Sequence, residues 1–269
     1  MCGIFGYINF EKEKAVEADT LLTMGEAIRH RGPDGRGLHI KDNVGLGHNR
    51  LSIIDLDTGQ QPLANENGTV WISCNGEIYN YRRLTEELKD RGHRFRTKTD
   101  VEALVHLYEE EGIGFLDKIN GMFALALWDE AGDRFYLARD RFGIKPLYYS
   151  AGKEALIFAS EPAALLKHRG APKELDYLAM RYYFSYGYIP EPMSIFKGMK
   201  KLSPAQYLCL EQGRMHTQAY WKPLAAGGNK AGLRDNTERL VYLLNKSVRE
   251  HLVSDVTVGL LLSGGLDSS

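Results

Sequence analysis

Apolar residues recur every three or four positions in several stretches of the chain, which is the spacing of a helix with one buried face. Leu21, Met24 and Ile28 follow this spacing and predict one such helix. Another is predicted to open at Thr99–Glu102, which has the sequence of a capping box. The predicted helices are Asp19–His30, Tyr79–Arg91, a helix from Thr99 to Gly112, Glu161–His168, Leu175–Phe184 and Thr237–Ser254.

Other stretches are short, apolar and bounded by turn residues, which is typical of strands. The predicted strands are Cys2–Asn9, Val44–His48, Leu51–Asp55, Val70–Asn75, Met122–Trp128, Arg134–Ala138, Pro146–Ser150, Ala155–Ala159 and a hairpin over Gln206–Trp221. His30–Gly37 contains three glycines and a proline and is predicted to be a loop. Hairpin turns between the strands, with helices before and after them, predict antiparallel sheets covered by helical layers.

The last part of the chain has a different pattern. Lys222–Asp235 is rich in alanine and glycine and is the best candidate for a linker. Val256–Leu262 is apolar without polar alternation, as expected for a strand buried on both faces of a parallel sheet. It leads into Ser263–Ser269, where a glycine pair would let backbone N–H groups converge on a phosphate.

Composition narrows the class of protein. The 269 residues are 43% hydrophobic and 26% charged, with a net charge of −1 that gives no reason to expect nucleic acid as a partner. The three cysteines form no CxxC pair, which argues against a disulfide framework and a zinc site. The chain has no signal-peptide pattern and no apolar run of about 18 residues. We therefore expect a soluble cytoplasmic protein with no membrane segment and no metal.

Cys2 is the first candidate for chemistry, because removal of Met1 would place its thiol and a free α-amine on the same residue. An α-amine has a pKa of about 7.7–8.0, so part of it is neutral near pH 7 and can accept the thiol proton. The alternative is an inert cysteine in a buried first strand.

Four further residues have both a chemical and an ordinary interpretation. The Asn75-Gly76 pair follows an apolar strand and is either a turn or a pair of donors directed into a cleft. Arg50 either makes a surface salt bridge or binds a carboxylate through its guanidinium fork. Asp100 is explained by the dipole of the helix that it precedes, and the same carboxylate could also face a ligand at that helix end.

Seven segments together carry a specific resemblance to a known family: Met1–Tyr7, Arg29–Gly37, Gly47–Asp55, Asn75–Asn80, Gly121–Asp129, Arg139–Tyr148 and Ser263–Ser269. On these residues the chain resembles the amino-terminal part of the glutamine-dependent asparagine synthetases of the bacterial type. That part is a class II glutamine amidotransferase domain of the N-terminal-nucleophile hydrolase family, followed by the beginning of an ATP-pyrophosphatase synthetase domain. The chain then looks truncated at its carboxyl end.

The resemblance implies an α+β fold, a four-layer αββα sandwich followed by the first helix and strand of a parallel α/β domain. The implied division is an amidotransferase domain over residues 2–210, a hairpin and linker over 211–235, and an incomplete synthetase domain over 236–269. Cys74 and Cys209 lie in strand patterns and are interpreted as core residues.

The resemblance also assigns catalytic roles. Cys2 would attack the side-chain amide of glutamine, giving a thioester and ammonia. The Asn75 side chain and the Gly76 N–H would form the oxyanion hole. Neither a metal nor a cofactor is implied for this half-reaction. The glycine-rich loop that carries His30, Arg31 and Asp34 would close over bound glutamine.

Binding of glutamine is implied at five positions. Arg50 would hold the α-carboxylate, with help from main-chain groups near Leu51 and Ile53. Glu77 and Asp100 would take the α-ammonium group.

In the complete enzyme, the resemblance implies a site for ATP with Mg²⁺, and ammonia would amidate an ATP-activated aspartate to give asparagine, AMP and pyrophosphate. Leu262 would lie near the adenosine, and the pyrophosphate would be held by Ser263, Gly264, Gly265, Asp267 and Ser268. Alternatives that stay open are a relative acting on another acceptor, such as a sugar acid or a peptide, and a non-catalytic binding module or fragment. The oligomeric state, a homodimer among others, is also open.

Overall fold

The computed structural model describes residues 1–223 and 232–266. The strands are β1 (Gly3–Asn9), β2 (Gly35–Lys41), β3 (Val44–Arg50), β4 (Leu63–Ala64), β5 (Val70–Ile78), β6 (Gly121–Asp129), β7 (Arg134–Arg139), β8 (Tyr148–Ala151), β9 (Ala155–Ala159), β10 (Lys200–Lys201), β11 (Gln206–Glu211) and β12 (Arg214–Ala219). The α-helices are α1 (Ala18–Ala27), α2 (Tyr81–Asp90), α3 (Glu102–Glu111), α4 (Pro162–Leu165), α5 (Tyr177–Tyr186) and α6 (Leu233–His251), and short 3-10 helices cover Arg29–Arg31 and Gly112–Asp117.

The strands form two six-stranded sheets. The first has the order β10-β8-β9-β1-β3-β2, and the second has the order β12-β11-β7-β6-β5-β4. Every neighbouring pair is antiparallel. The predicted hairpin over Gln206–Trp221 is confirmed as β11 and β12, which pair from Gln206 with Ala219 to Glu211 with Arg214.

Alternation along the central strands explains why the sheets stack between helices. In β1, Ile4 and Ile8 pack between the two sheets, whereas Phe5 and Tyr7 pack beneath α1 and α4. In β6, the small or aromatic residues Ala124, Ala126 and Trp128 face the other sheet. The residues between them, Phe123, Leu125 and Leu127, pack against α2 and α3. Burial of both faces requires helices on both outer sides, and the expected four-layer αββα sandwich is confirmed.

Two predicted elements near the site are wrong. The strand predicted over Leu51–Asp55 does not form, and these residues are irregular because their main-chain groups bind side chains instead of a neighbouring strand. The loop predicted over His30–Gly37 is shorter than expected, since β2 begins at Gly35 and pairs with β3.

The predicted capping box is also wrong. The Glu102 carboxylate accepts hydrogen bonds from the main-chain N–H groups of Arg96 and Thr97, both at 2.7 Å, rather than from Thr99. No side chain caps the first turn of α3. The Glu102 carboxylate instead fixes the connection between α2 and α3.

The last described segment is largely solvent-exposed. No residue of α6 is buried, and the predicted strand Val256–Leu262 does not form. A strand of this kind needs parallel neighbours on each side, and the described residues provide none. Residues 224–231 of the predicted linker lie outside the described residues. Among the helices of the described ranges, none combines the length and the apolar character needed to cross a membrane.

Candidate active site

Cys2 lies immediately before β1, and β1 runs through the middle of the first sheet. The strand places the Cys2 thiol beside the first residue after β3. Leu51 N–H donates to Cys2 Sγ at 3.3 Å, and the thiol lies 3.6 Å from the Leu51 carbonyl oxygen. A main-chain N–H directed at sulfur stabilises a thiolate.

The thiol opens into a cavity between the ends of the two sheets. Burial raises the pKa of Cys2, and this is opposed by the Leu51 N–H and by the positive charges of the amino terminus, Arg50 and Lys145. Burial also lowers the pKa of the Met1 ammonium group. The lining residues are Met1, Cys2, Arg50, Leu51, Ile53, Ile54, Gly59, Gln61, Cys74, Asn75, Gly76, Glu77, Thr99, Asp100, Val101 and Lys145. The eight residues that the sequence predicts for a glutamine site therefore all line one cavity.

Arg50 is the last residue of β3 and is 6% exposed. Its Nη1 donates to the Leu56 carbonyl at 3.2 Å, and its Nη2 donates to the Ile54 carbonyl at 3.1 Å and also to the Asp55 carbonyl. The guanidinium group thus shapes the irregular segment after β3 as well as lining the cavity. The sequence did not predict this second task.

Asn75 and Gly76 lie in β5 rather than in a turn. Asn75 is 1% exposed, and its Nδ2 is buried without a hydrogen-bond partner among the described residues. A Cβ atom at position 76 would lie 2.5 Å from the Met122 carbonyl oxygen, so the close approach of β6 requires glycine there. The arrangement presents a buried, unused donor at the cavity.

Two acidic side chains line the same cavity. The Asp100 carboxylate accepts a hydrogen bond from Ile78 N–H at 2.7 Å and another from the Thr99 hydroxyl at 3.2 Å. Burial nevertheless raises the pKa of Asp100 to about 6. Burial also raises the pKa of Glu77, against the lowering effect of Lys145. Both carboxylates favour a cationic group that would share their cavity.

Lys145 is a lining residue that the sequence analysis did not single out. It is 5% exposed, and its main-chain N–H donates to Asp140 Oδ2 at 3.0 Å. The Asp140 carboxylate also receives the N–H groups of Phe142 and Ile144, both at 3.0 Å, which folds the turn after β7. In the sequence, Lys145 is marked only as a lysine within a compact turn between two strands. Its closeness to Cys2 is not visible there, because it depends on the packing of both sheets.

The glycine-rich segment before β2 is tied to the site. Arg31 Nε donates to the Cys2 carbonyl at 2.9 Å, and Arg31 Nη1 donates to Glu161 Oε1 at 2.8 Å. His30 contacts the same carboxylate at 3.1 Å. Asp34 Oδ2 accepts the Ser52 N–H at 2.8 Å.

The residues expected to bind ATP are not gathered into a site. Leu262, Ser263, Gly264 and Gly265 are exposed and irregular. Asp267 and Ser268 lie outside the described residues. The described part of this segment therefore does not build a nucleotide site on its own.

Comparison with protein families gives two matches. A family model described as a glutamine amidotransferase domain matches residues 1–221, and one described as asparagine synthase matches residues 239–269. The first match covers most of the chain and all the residues that line the cavity.

Curated relatives match the whole chain. One is "Asparagine synthetase [glutamine-hydrolyzing] 2" from Bacillus subtilis (strain 168), which is 42% identical over 100% of this chain and 38% of its own length. Another is "Amidase chry2" from Gibberella zeae, which is 36% identical over 100% of this chain and 42% of its own length. The chain thus spans less than half the length of either relative.

Among solved structures, the fold is similar to glutamine phosphoribosylpyrophosphate amidotransferase from B. subtilis, with a TM-score of 0.58 and 20% identity. The likeness covers 83% of this chain and 50% of the other. At this identity the likeness supports the fold alone.

Proposed function

The chain belongs to the glutamine amidotransferase domain family, and we propose that Cys2 is its nucleophile for the hydrolysis of glutamine to glutamate and ammonia. The observation that carries this assignment is the position of the Cys2 thiol in one cavity with the unused Asn75 donor and two acidic side chains. Removal of Met1 would place the α-amine on Cys2 itself, where it serves as the general base.

The reaction has two steps. The α-amine accepts the thiol proton, and sulfur attacks the side-chain amide carbon of glutamine. The C–N bond then breaks with transfer of that proton to nitrogen, which releases ammonia and leaves a thioester. Water attacks the thioester, again with the amine as base, and the C–S bond breaks to give glutamate and the free thiol.

The Asn75 side chain and the Gly76 N–H are assigned to the oxyanion that forms in each step. One such donor contributes about 2.7–4 kcal/mol to stabilisation of the transition state. The buried Nδ2 of Asn75, which has no partner among the described residues, supports this role. Lys145 favours the thiolate electrostatically, because its positive charge lowers the pKa of Cys2.

Arg50, with main-chain groups near Leu51 and Ile53, is assigned to the α-carboxylate of glutamine. Glu77 and Asp100 are assigned to its α-ammonium group. All five residues line the cavity. The cationic side chain of Arg50 is opposite in charge to the α-carboxylate of glutamine, and the acidic side chains of Glu77 and Asp100 are opposite in charge to its α-ammonium group.

For the longer protein that the relatives represent, ammonia would amidate an aspartate carboxylate activated by ATP with Mg²⁺. The match of residues 239–269 to the asparagine synthase family supports an ATP-dependent second half. The division into an amidotransferase domain over 2–210, a connection over 211–235 and a synthetase beginning at 236 follows the same assignment. One relative is named as an amidase, so acceptors of nitrogen other than aspartate are tested as well.

The first experiment measures glutamate and ammonia released from glutamine by the purified chain after mass spectrometry has verified loss of Met1. We expect Cys2→Ala to abolish release, and Cys2→Ser to impair it severely because a hydroxyl is far harder to deprotonate than a thiol. Cys209→Ala is the matched control, since Cys209 is buried in β11, away from the cavity. Persistent hydrolysis by the Cys2→Ala variant would remove Cys2 from the mechanism.

The acceptor is tested on a protein that carries this chain together with a complete synthetase domain. With glutamine and Mg-ATP present, asparagine and AMP should form only when aspartate is added. AMP formation with a sugar acid or a peptide, but not with aspartate, would assign a different acceptor without affecting the glutaminase step.

A further inference from the structure

Two histidines and two glutamates meet on the outer side of the second sheet, in the helical layer. We refer to Glu66, His93, His106 and Glu109 as the His–Glu cluster. One nitrogen or oxygen atom from each residue lies within 4.8 Å of those of the other three. Glu66 comes from the turn between β4 and β5, His93 from the connection between α2 and α3, and His106 and Glu109 from one face of α3.

The histidine–carboxylate distances in the cluster are compatible with ligands that share one metal ion. His106 Nδ1 lies 3.3 Å from Glu66 Oε2 and 3.2 Å from Glu109 Oε2. His93 Nδ1 lies 3.5 Å from Glu66 Oε1 and 3.7 Å from Glu109 Oε2. With bonds of about 2.0–2.1 Å to a tetrahedral zinc ion, neighbouring ligand atoms lie about 3.3 Å apart.

The outer ring nitrogens of the histidines also face carboxylates. His93 Nε2 lies 3.1 Å from Glu110 Oε1. His106 Nε2 lies 3.9 Å from Glu102 Oε1 and is buried without a hydrogen bond among the described residues. A carboxylate that is hydrogen-bonded to one ring nitrogen orients the ring so that the other nitrogen can bind a metal, and Glu110 holds His93 in this way.

The glutamates are held in place as well. Glu66 Oε1 accepts the Arg94 N–H at 2.8 Å, and Glu109 Oε1 accepts a hydrogen bond from Asn65 Nδ2 at 2.8 Å. His106 has a side chain that is 1% exposed, while those of Glu66, His93 and Glu109 are 13–25% exposed. An ion could therefore reach the cluster from solvent and find ligands that are already oriented.

We propose that the His–Glu cluster binds one Zn²⁺ ion in a structural site. Imidazole nitrogen and carboxylate oxygen are both zinc ligands, and four protein ligands close a tetrahedral site. Two carboxylates balance the charge of the ion when both imidazoles are neutral. The metal would clamp the β4–β5 turn and the α2–α3 connection onto α3. The cysteine spacing that argued against zinc says nothing about this set of ligands.

The alternative is a network of ion pairs in which the two histidines are protonated and face the carboxylates. Zinc binding separates the two cases. The measurement is made on Cys2→Ala protein, so that the catalytic thiol cannot bind the ion, after metal is stripped with a chelator. Titration calorimetry with ZnCl₂ should show one ion per chain. Excess zinc at about 100-fold above the dissociation constant should raise the melting temperature by about 5–10 °C.

Glu66→Gln and His93→Gln, made in the same background, each remove a direct zinc ligand. Loss of a residue that only supports a ligand typically weakens metal binding by about 10–100-fold, and these two variants should lose more than that. Both side chains are partly exposed, so these variants should fold, and circular dichroism of the metal-free proteins checks that they do. Glu86→Gln on α2 and His216→Gln on β12 are matched exposed controls that should bind zinc like the parent. Absence of zinc binding by the parent, or equal affinity in Glu66→Gln, would overturn the proposal.

Discussion

The amide nitrogen of Asn75 is a buried donor with no acceptor among the described residues. A buried donor that stays unsatisfied typically costs a protein about 1–3 kcal/mol. A developing oxyanion would satisfy the donor in the transition state.

We expect Asn75→Ala to lower kcat for glutamine by about 10²–10³-fold with little change in KM, because the donor acts on the transition state. The melting temperature should stay the same or rise, since an unsatisfied donor is removed. Steady-state kinetics and thermal melts check both parts. Asn67→Ala, at an exposed turn position, is the matched control. An unchanged kcat in Asn75→Ala would exclude the oxyanion role.

Arg50 calls for a test that separates its two tasks, since its guanidinium group already binds three carbonyls of the segment after β3. Arg50→Lys keeps the charge but loses the planar fork, so KM for glutamine should rise at least about tenfold. The comparison substrate is glutamine with its α-carboxylate converted to an amide. If Arg50 binds the carboxylate, the substitution should affect glutamine much more than the amide. An equal rise in KM for both substrates would show that Arg50 only holds the segment after β3 and does not bind the carboxylate.

The sequence predicts which residues line the cavity from their types and motifs, but it does not predict the elements and contacts around them. Asn75 lines the cavity even though Asn-Gly commonly forms a turn, because both residues lie within β5. Lys145 was missed because it reaches the cavity only after the turn beyond β7 has folded around Asp140. The local sequence encodes that turn, but not the distance from the turn to Cys2.

At the scale of elements, α3 links the cavity to the outer helical layer. Asp100 precedes its first turn, and the His–Glu cluster lies along its length. Leu104 and Val105 of α3 follow the apolar spacing of a helix, and both lie in the core. The capping box was misread because Glu102 turns back to the connection between α2 and α3, a contact that sequence spacing does not encode.

The strand expected over Leu51–Asp55 failed for a related reason. Its apolar residues resemble a strand, but the Leu51 N–H is used by the Cys2 thiol and the Ile54 and Asp55 carbonyls are used by Arg50. Asp55 also has a φ of 55°, which ends an extended conformation. Strands such as β1 and β6 are predictable because they are short, apolar and bounded by turn residues.

The raised pKa of Asp100 predicts a pH dependence. Its pKa is about 6 in the folded protein against an ordinary 3.8, so between those values the folded state holds a proton that the unfolded state has lost. The contribution of Asp100 to the free energy of unfolding therefore falls as the pH rises from about 4 to about 6. Asp100→Asn should remove this slope. The difference in melting temperature between the two proteins, measured across that pH range, separates the effect of Asp100 from that of other carboxylates.

Glutamine binding should change in the opposite direction, since its ammonium group needs an ionised partner. KM for glutamine should fall as the pH rises through about 6, and Asp100→Asn should flatten that dependence. Glu77 and Lys145 line the same cavity, and burial also raises the pKa of Glu77. Glu77→Gln is therefore measured alongside. A KM that is independent of pH between 5 and 8 in the parent would contradict the ammonium role of both carboxylates.

At the scale of the whole molecule, the sandwich is complete without the last described segment. Leu240, Leu244 and Val248 form one face of α6, and each is 57% exposed. The segment touches the sandwich through a few contacts. Asp255 N–H donates to the Ile53 carbonyl at 2.9 Å, and Asp255 Oδ2 accepts the Asp55 N–H at 2.7 Å. Asn120 Nδ2 donates to Glu250 Oε2 at 3.3 Å, and the rings of Tyr79 and His251 lie 4.1 Å apart. Contacts of this number contribute little to a fold with three buried hydrophobic clusters.

We therefore expect a shortened chain of residues 1–221 to keep the fold. Each kcal/mol lost shifts the melting temperature of a domain of this size by about 2–4 °C, so removal of the few contacts should lower it by no more than about 5–8 °C. Self-association should decrease, because the exposed apolar face of α6 and the apolar run after it are removed. Thermal melts and sedimentation velocity of the two chains measure both effects. A much larger loss of stability would show that α6 belongs to the cooperative unit of the sandwich, with Asp255 as the contact to substitute next.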